Sequence, residues 1–301
     1  MNPNASLCLV CSSPHLRRMP FGYRFRGRWL QGTACNDCGI VFITPQPTAE
    51  EITEMYGKEY FEADFRCGHA GSYFVDSDRQ STIDTRLLQA IKNLKPGGKF
   101  LEIGCAGGAF LNAARSCGYD VRGVELSEEL ALFARQTYGL DVAAGALTQS
   151  TFPEGFFDVV FMGDVIEHLP DPRKTLGTIH RLTAPGGLLV ILCPSQTNTL
   201  FSRLGFSAYR LVGRKATVGL PPYHLFEYRP ESIAVLLRLA GFAVARMTQG
   251  MIPPGDIALR GPLLQRIGKK MFQYPNVLLT SLTGSFGDRL EVFAVRGESS
   301  P

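Results

Sequence analysis

Residues 101–111 read LEIGCAGGAFL, a short apolar strand with one acid, followed by a glycine turn that leads into a helix. The spacing differs from the dinucleotide fingerprint G-x-G-x-x-G, because Ala106 stands at the second glycine position and Gly107 is added before Gly108. A pyrophosphate needs backbone donors at very close range, whereas a ligand without phosphate accepts a methyl group there. The turn therefore favours a ligand that is not a dinucleotide.

Strand and helix patterns alternate around this turn, from about residue 80 onward. The predicted strands cover residues 99–103, 120–126, 141–144, 157–164 and 186–194. Helices are predicted at 109–116, after the N-cap residue Ser127, and from Asp171 and Pro172 onward. This alternation predicts an α/β fold whose parallel sheet is covered by helices on both faces.

An acid follows the second predicted strand, at the edge where such sheets bind their ligands. In the stretch GVELS, residues 123–127, Glu125 stands about 20 residues after the glycine turn. An acid at this distance accepts hydrogen bonds from the hydroxyl groups of a ribose. The turn, Glu125 and the five strands together indicate an adenosine compound as the ligand.

These segments resemble the class I S-adenosylmethionine (SAM) dependent methyltransferases, from about residue 80 to residue 297. LEIGCAGGAFL resembles their first motif, GVELS their second, and FDVVFMGDVIEHLPDP (157–172) the acidic strand and loop that follow. The resemblance implies a Rossmann-like sheet with SAM as the cofactor. It also accounts for a predicted helix at 230–240 and predicted strands at 242–247 and 288–296.

The resemblance further implies a set of cofactor-binding residues. These are Glu102, Gly104, Ala106, Gly108, Glu125 and Asp164. The three small residues shape the pocket for the methionine end of SAM, Glu102 orients that loop or the SAM ammonium group, and Glu125 binds the ribose. Many relatives hold adenine with an acid that GALTQ, residues 145–149, does not contain, so no side chain is assigned to adenine.

Four of the eight cysteines form two C-x-x-C pairs, Cys8 with Cys11 and Cys35 with Cys38, separated by 23 residues. This spacing is typical of a structural Zn²⁺ site, in which each pair presents two thiolates to one tetrahedral ion. The alternatives are four unrelated buried cysteines, or a redox pair, although neither pair opens a helix after a strand. The other cysteines show no ligand spacing and are predicted to be small core residues: Cys67, Cys105, Cys117 and Cys193.

The order of these segments divides the chain into a zinc-ribbon module (1–45), a connecting helix and linker (46–79) and a methyltransferase domain (80–301). Thr48 is the predicted N-cap of the connecting helix, and Glu51 is its capping-box partner. Lid inserts are expected at about 198–229 and 250–285 of the methyltransferase domain.

This order of segments is similar to that of zinc-ribbon methyltransferases from sugar and secondary-metabolite pathways, which include the sugar C-methyltransferases. The sugar enzymes tend to carry an additional C-terminal domain, whereas this chain stops after its last predicted core strand. We therefore expect methylation of oxygen ahead of methylation of carbon.

Two histidines and a tyrosine are the candidate catalytic residues. Methyl transfer to a hydroxyl needs alignment of the reactants and a base that removes the proton. His224, in the stretch GLPPYHLFEY (219–228), is the predicted base, and Tyr223 beside it is predicted to position the acceptor. His168, just beyond the fourth predicted strand, is the second candidate. The alternative for each histidine is a structural role, in the lid for His224 and beside SAM for His168.

The loop of His168 also contains a candidate metal site. Asp164, Glu167 and His168 resemble the Glu-x-x-Glu-His run of the ubiquinone-biosynthesis O-methyltransferases, in which a divalent cation can bind. Two carboxylates and an imidazole are able to hold Mg²⁺ or Mn²⁺ with water at the remaining positions. The alternative is that these side chains only hydrogen-bond the loop.

The sequence thus predicts SAM-dependent methyl transfer to a small-molecule acceptor, with a hydroxyl of a sugar or natural-product intermediate as the preferred target. Sugar C-methylation and N-methylation are alternatives, and a zinc-ribbon module that binds nucleic acid or protein on a SAM fold is an alternative of another class. Two basic and apolar stretches, 198–220 and 259–279, are interpreted as lids, surfaces of a homodimer, or contacts to a nucleotide-, carrier- or lipid-linked acceptor.

Composition and charge exclude several classes of protein. The 301 residues are 45% hydrophobic and 19% charged, which is typical of a soluble globular protein. The longest apolar run, 188–193, is too short to cross a bilayer, and the start MNPNASLCLVC lacks the pattern of a secretory signal. A net charge of +4 is too small to indicate nucleic acid as a partner. We expect a cytoplasmic enzyme without a membrane span.

Overall fold

The computed structural model describes residues 6–55, 77–147, 152–219, 221–252 and 263–297. Residues 56–76 lie outside the described residues. They contain most of the predicted linker and Cys67, which was predicted to be a core residue. In chain order the strands are β1 (Leu16–Phe25), β2 (Arg28–Cys35), β3 (Val41–Thr44), β4 (Lys99–Ile103), β5 (Asp120–Glu125), β6 (Val142–Ala144), β7 (Phe157–Gly163), β8 (Thr183–Pro194), β9 (Ala216–Val218), β10 (Phe226–Glu227), β11 (Phe242–Gly250) and β12 (Arg289–Arg296).

The α-helices of the described residues lie mainly between these strands. They are α1 (Ala49–Met55), α2 (Ser77–Leu94), α3 (Ala109–Ser116), α4 (Glu128–Tyr138), α5 (Pro172–Leu182), α6 (Leu200–Leu211), α7 (Pro230–Leu239) and α8 (Leu263–Thr283). None of the helices that the structure describes combines the length and apolar content needed to cross a membrane.

The larger sheet has seven strands in the order β11-β12-β8-β7-β4-β5-β6. Neighbours from β8 to β6 pair in parallel, and β12 pairs antiparallel with both β8 and β11. Central strand residues such as Phe100, Leu101, Val159 and Val160 are fully buried, because helices cover both faces of the sheet. The predicted α/β fold is confirmed, and the carboxyl ends of β4, β5, β7 and β8 share one edge.

Local signals account for the helix ends. The Ser127 hydroxyl accepts a hydrogen bond from the Leu130 N–H at 3.3 Å, and the Asp171 carboxylate accepts one from the Lys174 N–H at 3.0 Å. Thr48 and Glu51 form the predicted reciprocal capping box, with N–H to side-chain oxygen distances of 2.8 and 3.3 Å. Each cap satisfies backbone donors that the first helical turn leaves unpaired.

A second sheet of five strands has the order β10-β3-β2-β1-β9. Its three long strands come from the N-terminal segment, whereas β9 and β10 come from the predicted lid insert more than 170 residues further along the chain. Phe42 of β3 lies 6.3 Å from Phe226 of β10 between ring centroids, within a buried cluster that continues into the larger sheet. The insert is therefore an integral part of the N-terminal sheet.

Candidate active site

The turn after β4 contains two glycines at which a larger side chain would clash with neighbouring atoms. Gly104 has φ +71°, and a Cβ atom there would lie 2.5 Å from Val165 Cγ2 of the loop after β7. Gly108 has φ +82°, and its added Cβ would lie 2.8 Å from the side chains of Ala134 and Leu140. Gly104 thus permits close approach of two loops at the ligand edge, whereas Gly108 permits packing of α3 against α4.

Ala106 adopts the left-handed conformation, with φ +47°. This conformation costs a non-glycine residue roughly 1–2 kcal/mol. The Ala106 N–H donates a hydrogen bond of 2.8 Å to Oε2 of Glu125, and a bond to a charged acceptor contributes about 1.5–3 kcal/mol. The hydrogen bond offsets the conformational cost, which explains how an alanine occupies this position.

Glu125 joins the turn to the end of β5. Its side chain is buried, its Oε2 accepts from Ala106, and its Oε1 accepts from the Ser127 N–H at 2.9 Å. Burial raises the pKa of Glu125, and the backbone donors of Ser127 and Ala106 oppose that rise. Because two carboxylate oxygens offer about four acceptor positions, this fixed side chain still has capacity for a pair of ribose hydroxyls.

Glu102 lies at the end of β4 and is also buried. Cys105 of the glycine turn is influenced by both Glu102 and Glu125. Burial raises the pKa of its thiol, and the charges of these two acids raise it further. Cys105 is therefore a neutral thiol. Both acids contribute negative potential at the ligand edge, which complements the cationic sulfonium and ammonium groups of SAM.

Asp164 follows β7 and forms a two-pronged ion pair with Arg289 of β12. The nitrogen to oxygen distances are 2.7 and 3.0 Å, and Asp164 adopts φ +54°. Burial alone would lower the pKa of Arg289, but the charge and hydrogen bond of Asp164 raise it. The pair fixes a permanent guanidinium at the ligand edge, 125 residues away from its partner in the chain.

The loop after β7 and the stretch around His224 are held together by backbone contacts. The Leu225 N–H donates to the Glu167 carbonyl at 2.9 Å, and His168 Nδ1 lies 2.7 Å from the Tyr223 carbonyl. A carbonyl only accepts, so Nδ1 of His168 carries the hydrogen. These contacts bring the imidazole rings of His168 and His224 together, with their centroids 5.0 Å apart.

Two acids flank these imidazoles. Glu167 is 1% exposed, and its Oε1 lies 3.5 Å from His168 Nε2. Burial raises the pKa of Glu167 to about 8, and the charge of Asp164 adds to the rise. Glu227 lies on the other side, with its Oε1 3.6 Å from His224 Nδ1.

The two histidines differ in basicity. Burial, together with the charge of the neighbouring His224, lowers the pKa of His168 to about 4. Burial alone would also lower the pKa of His224, but the hydrogen bond to Glu227 and the charge of Glu167 outweigh it and raise that pKa above its ordinary value. His168 is therefore a neutral ring at neutral pH, whereas His224 is the stronger base.

The predicted magnesium site at Asp164, Glu167 and His168 is not supported. Asp164 is engaged by Arg289, and among the described residues near this loop the ligand atoms that lie within 4.8 Å of one another belong to Glu167, His168 and His224. One carboxylate with two imidazoles is a poor donor set for Mg²⁺, which prefers oxygen ligands. The sequence pattern failed here because it does not contain the position of Arg289.

The four N-terminal cysteines converge as predicted. Their sulfur atoms lie within 4.8 Å of one another, with Sγ distances of 3.6 Å for Cys8 to Cys38 and for Cys11 to Cys35. A tetrahedral ion with Zn–S bonds of about 2.3 Å separates its sulfur ligands by roughly 3.8 Å. The arrangement fits a four-thiolate zinc site.

Of the sequence-predicted residues, Glu102, Gly104, Ala106 and Glu125 lie around one turn. Asp164, Glu167, His168, Tyr223 and His224 lie around the loop after β7. Glu227 and Arg289 also belong to this region and were not predicted from the sequence. Glu227 could have been found from the sequence, because it stands three residues after His224. Arg289 could not, because it lies on a strand that is distant in the sequence.

Comparison with known proteins agrees with this geometry. A family model described as a methyltransferase domain matches residues 75–246, which is more than half of the chain. The ubiquinone biosynthesis O-methyltransferase of Methylococcus capsulatus is 29% identical over 172 residues, which cover 54% of this chain and 70% of that protein. The malonyl-[acyl-carrier protein] O-methyltransferase of Pectobacterium atrosepticum is 26% identical over 220 residues, which cover 67% and 85%.

Solved structures agree in fold. A SAM-dependent methyltransferase from Archaeoglobus fulgidus superimposes with a TM-score of 0.50 at 20% identity, covering 79% of this chain and 96% of that one. The alternative of a non-catalytic binding module is set aside, because the family match covers the strands and loops that form the site. The chain belongs to the methyltransferase domain family and is a class I SAM-dependent methyltransferase.

Proposed function

We propose that the enzyme transfers a methyl group from SAM to a hydroxyl of a small-molecule acceptor, with His224 as the general base. The observation that carries the proposal is the pairing of His224 with Glu227 beside the loop after β7. A carboxylate at Nδ1 orients the ring and leaves Nε2 as the basic nitrogen. The experiment that tests it is the His224 substitution described in the Discussion.

SAM, when bound, would supply a methyl group whose carbon is open to attack by the acceptor oxygen, with S-adenosylhomocysteine as the leaving group when the carbon–sulfur bond breaks. Glu125 accepts the ribose hydroxyls, the turn with Gly104 and Ala106 borders the methionine end, and Glu102 neutralises the positive charge or orients that turn. Asp164 contributes to the same edge while it is held by Arg289. These residues bind and orient, and none of them takes part in proton transfer.

His224 accepts the proton of the acceptor hydroxyl at Nε2 as the oxygen attacks. Glu227 stabilises the imidazolium that forms, because its carboxylate lies beside Nδ1. His168 does not serve as the base, because its Nδ1–H is engaged by the Tyr223 carbonyl and its pKa of about 4 makes it a weak acceptor. Its role is to position the Tyr223–His224 stretch.

The acceptor is an oxygen nucleophile in this proposal. This agrees with two relatives, which are a ubiquinone biosynthesis O-methyltransferase and a malonyl-[acyl-carrier protein] O-methyltransferase. A hydroxyl of a sugar or natural-product intermediate remains the preferred class, and sugar C-methylation and N-methylation are the alternatives. A base of raised pKa suits hydroxyl acceptors, since a neutral amine nucleophile needs no proton removal before attack.

The pH dependence of turnover distinguishes the two histidines. A protonated imidazole cannot accept a proton, so with His224 as base kcat should rise with pH through a value above the ordinary histidine pKa of about 6.5. With His168 as base the rise would be complete near its pKa of about 4, and the profile would be flat around neutral pH. Initial rates measured across the neutral range provide the test.

The matched control for this profile is His180→Gln, which removes a half-buried histidine of α5 that packs on Phe242. His180→Gln should keep the rising limb, and addition of Mg²⁺ or Mn²⁺ should change neither the rate nor the profile. A flat profile in the parent protein would rule out His224, and strict dependence on an added divalent cation would restore the metal hypothesis.

Glu125→Ala is expected to weaken SAM binding without unfolding the domain. A hydrogen bond that a neutral hydroxyl donates to a carboxylate contributes about 1.5–3 kcal/mol, which corresponds to roughly ten- to hundredfold in Kd. The substitution also removes the acceptor of the Ala106 N–H, so the effect should lie near the upper end. Calorimetric titration with SAM measures it, with Glu129→Ala, an exposed acid in the next helix, as the control. Equal dissociation constants for Glu125→Ala and the parent would refute the assignment.

We also propose that Cys8, Cys11, Cys35 and Cys38 bind one structural Zn²⁺. The family match begins at residue 75, so the proposal rests on the convergence of the four sulfur atoms. A closed four-thiolate site leaves no open position for substrate, and its role is to hold the N-terminal sheet. The sheet in turn carries β10, directly after His224.

A further inference from the structure

One face of the N-terminal sheet packs against helix α6. Met19, Phe21, Ala34 and Val41 form a buried cluster on that face, and Phe206 of α6 packs against it. The rings of Phe21 and Phe206 are stacked with their centroids 5.4 Å apart. The apolar part of this contact accounts for the position of α6, but not for the arginines at its margins.

Arg17 lies at one margin of this sheet face. Its Cα pairs across the strands with Ala34, Ala34 pairs with Val41, and Val41 pairs with Glu227, so the side chains of this row point to one face. Arg17 Nη1 lies 3.3 Å from the sulfur of Met19, which is buried on the same face. The guanidinium of Arg17 therefore belongs to the face that α6 covers.

Helix α6 adds two further arginines on its covering side. Arg203 and Arg210 stand three residues before and four residues after Phe206, which is the spacing of side chains on one face of a helix. Arg203 donates from Nε to the Asn198 carbonyl at 3.0 Å and from Nη2 to Asn198 Oδ1 at 2.7 Å. Its side chain is thus fixed against the turn that precedes α6.

The fourth arginine is Arg229, which follows β10 and precedes α7. Its Nη2 donates to the Thr197 carbonyl at 3.0 Å. Thr197 directly precedes Asn198, which accepts the hydrogen bonds of Arg203. Two guanidinium groups are therefore anchored on two consecutive residues, Thr197 and Asn198. The acceptors in these contacts are a backbone carbonyl and an amide oxygen on Asn198 and a backbone carbonyl on Thr197, all of them neutral.

The positive charges of these arginines act on one another's pKa. Burial lowers the pKa of Arg229, and the charges of Arg203 and Arg17 lower it further, against a smaller opposing effect of Glu231 and Glu227. Burial also lowers the pKa of Arg17, and the charge of Arg210 adds to this. Among the described residues no carboxylate forms a salt bridge with any of these four arginines.

Two polar atoms at the same place are buried and lack a hydrogen-bond partner. They are Nε of Arg229 and the hydroxyl of Thr197, a residue that is 5% exposed. A buried donor without an acceptor is costly, and native structures rarely keep one without a ligand or water. Arg203 and Arg229, which are held on adjacent residues, together with the spare buried donor and the spare hydroxyl form a donor set that matches the oxygens of a phosphate.

We propose that Arg17, Arg203, Arg210, Arg229 and Thr197 form an anion site that binds a phosphate or diphosphate group carried by the acceptor. The inference rests on the proposed function, since the segment between β8 and α7 supplies four of the five residues of this site and also His224. SAM contains no phosphate, so the site is separate from the one at Glu125. The acceptor class is then a phosphorylated molecule, either a nucleoside diphosphate conjugate or a phosphopantetheine conjugate.

The test is calorimetric titration of the full chain with inorganic pyrophosphate, in the presence of saturating S-adenosylhomocysteine. We expect pyrophosphate to bind, and its affinity to fall as salt is added. The double variant Arg17→Gln with Arg210→Gln should weaken binding at least tenfold. The reason is that each charge-assisted contact to an anion accounts for about ten- to hundredfold in affinity. Arg210→Gln alone, at an exposed position, should fold normally and show a smaller loss. Arg238→Gln, an exposed arginine at the far end of α7, is the control of equal charge and should bind like the parent.

Absence of pyrophosphate binding in the folded parent, or equal affinity in the double variant, would overturn the proposal. Displacement of pyrophosphate by S-adenosylhomocysteine would also overturn it, because the anion would then occupy the cofactor pocket. Competition by a nucleoside diphosphate or by phosphopantetheine identifies the source of the phosphate. None of these titrations requires turnover, so a failed anion site is distinguishable from a failed methyl transfer.

Discussion

One zinc ion per chain is the expected result of metal analysis on the purified protein, and Cys35→Ser is expected to lose it. Structural zinc in small peptides has an apparent binding free energy of roughly 10–16 kcal/mol at neutral pH, which exceeds the free energy of unfolding of most domains. Without the ion, the N-terminal sheet should lose its order. Because β10 pairs with β3 in that sheet, the position of His224 should be lost with it.

The zinc-free protein should therefore bind SAM but turn over poorly, since the glycine turn and Glu125 belong to the other sheet. Cys117→Ser, at a half-buried cysteine outside the cluster, is the matched control and should retain the metal. Metal analysis without zinc in the parent, or the same stoichiometry in Cys35→Ser, would contradict the assignment. Full turnover of a zinc-free variant would contradict the link between the sheet and His224.

His224→Ala is expected to reduce turnover by about 10²–10⁴, which is the contribution of a positioned general base. The SAM dissociation constant should change little, because the residues proposed to contact the ribose and the methionine end of SAM lie on β4, β5 and their loops, away from His224. Single-turnover rates and a SAM titration on the same sample separate the two effects. Glu227→Gln should give a smaller loss, because it removes the charge that raises the pKa of His224 but keeps the base.

Tyr223→Phe is the control for this substitution. It keeps the backbone carbonyl that His168 contacts, so its effect should be well below that of His224→Ala. Unchanged activity of His224→Ala with a true acceptor would remove His224 from the mechanism. His168→Ala, which disturbs the stretch that holds His224, should lower turnover while the rising pH profile is retained.

Most of the larger sheet was predictable because its signals are local. Each of these signals depends on neighbouring residues in the chain, and the structure contains each of them. They are the strand at 99–103 with the turn after it, the helix caps at Ser127 and Asp171, and the acid Glu125. The capping box of Thr48 and Glu51 was predictable for the same reason.

Long-range pairing was not predictable from the same patterns. Strands β9 and β10 have three and two residues, too few for a period of two to be recognised, and their partners are far along the chain. Arg289 reaches Asp164 only because β12 inserts antiparallel beside β8. The magnesium hypothesis gains no support at this point, since a carboxylate that is already paired with arginine is a poor metal ligand.

The role of Ala106 was only half predicted. Its methyl group was attributed to the absence of a phosphate in the ligand, whereas the structure adds a positive φ and a hydrogen bond from its N–H to Glu125. The backbone conformation of a non-glycine residue cannot be recognised from a single sequence. The positive φ of Ala106 and its hydrogen bond to Glu125 were therefore not predictable.

The central claim, methyl transfer to oxygen with His224 as base, is tested most directly by the fate of the transferred carbon. The enzyme would be incubated with SAM labelled with carbon-13 at the methyl group and a panel of phenols, nucleotide sugars and phosphopantetheine conjugates, followed by carbon NMR of the product. The account predicts a methyl ether or ester resonance from the parent protein and its near disappearance in His224→Ala. A label found on carbon or nitrogen, or equal label from His224→Ala, would contradict it.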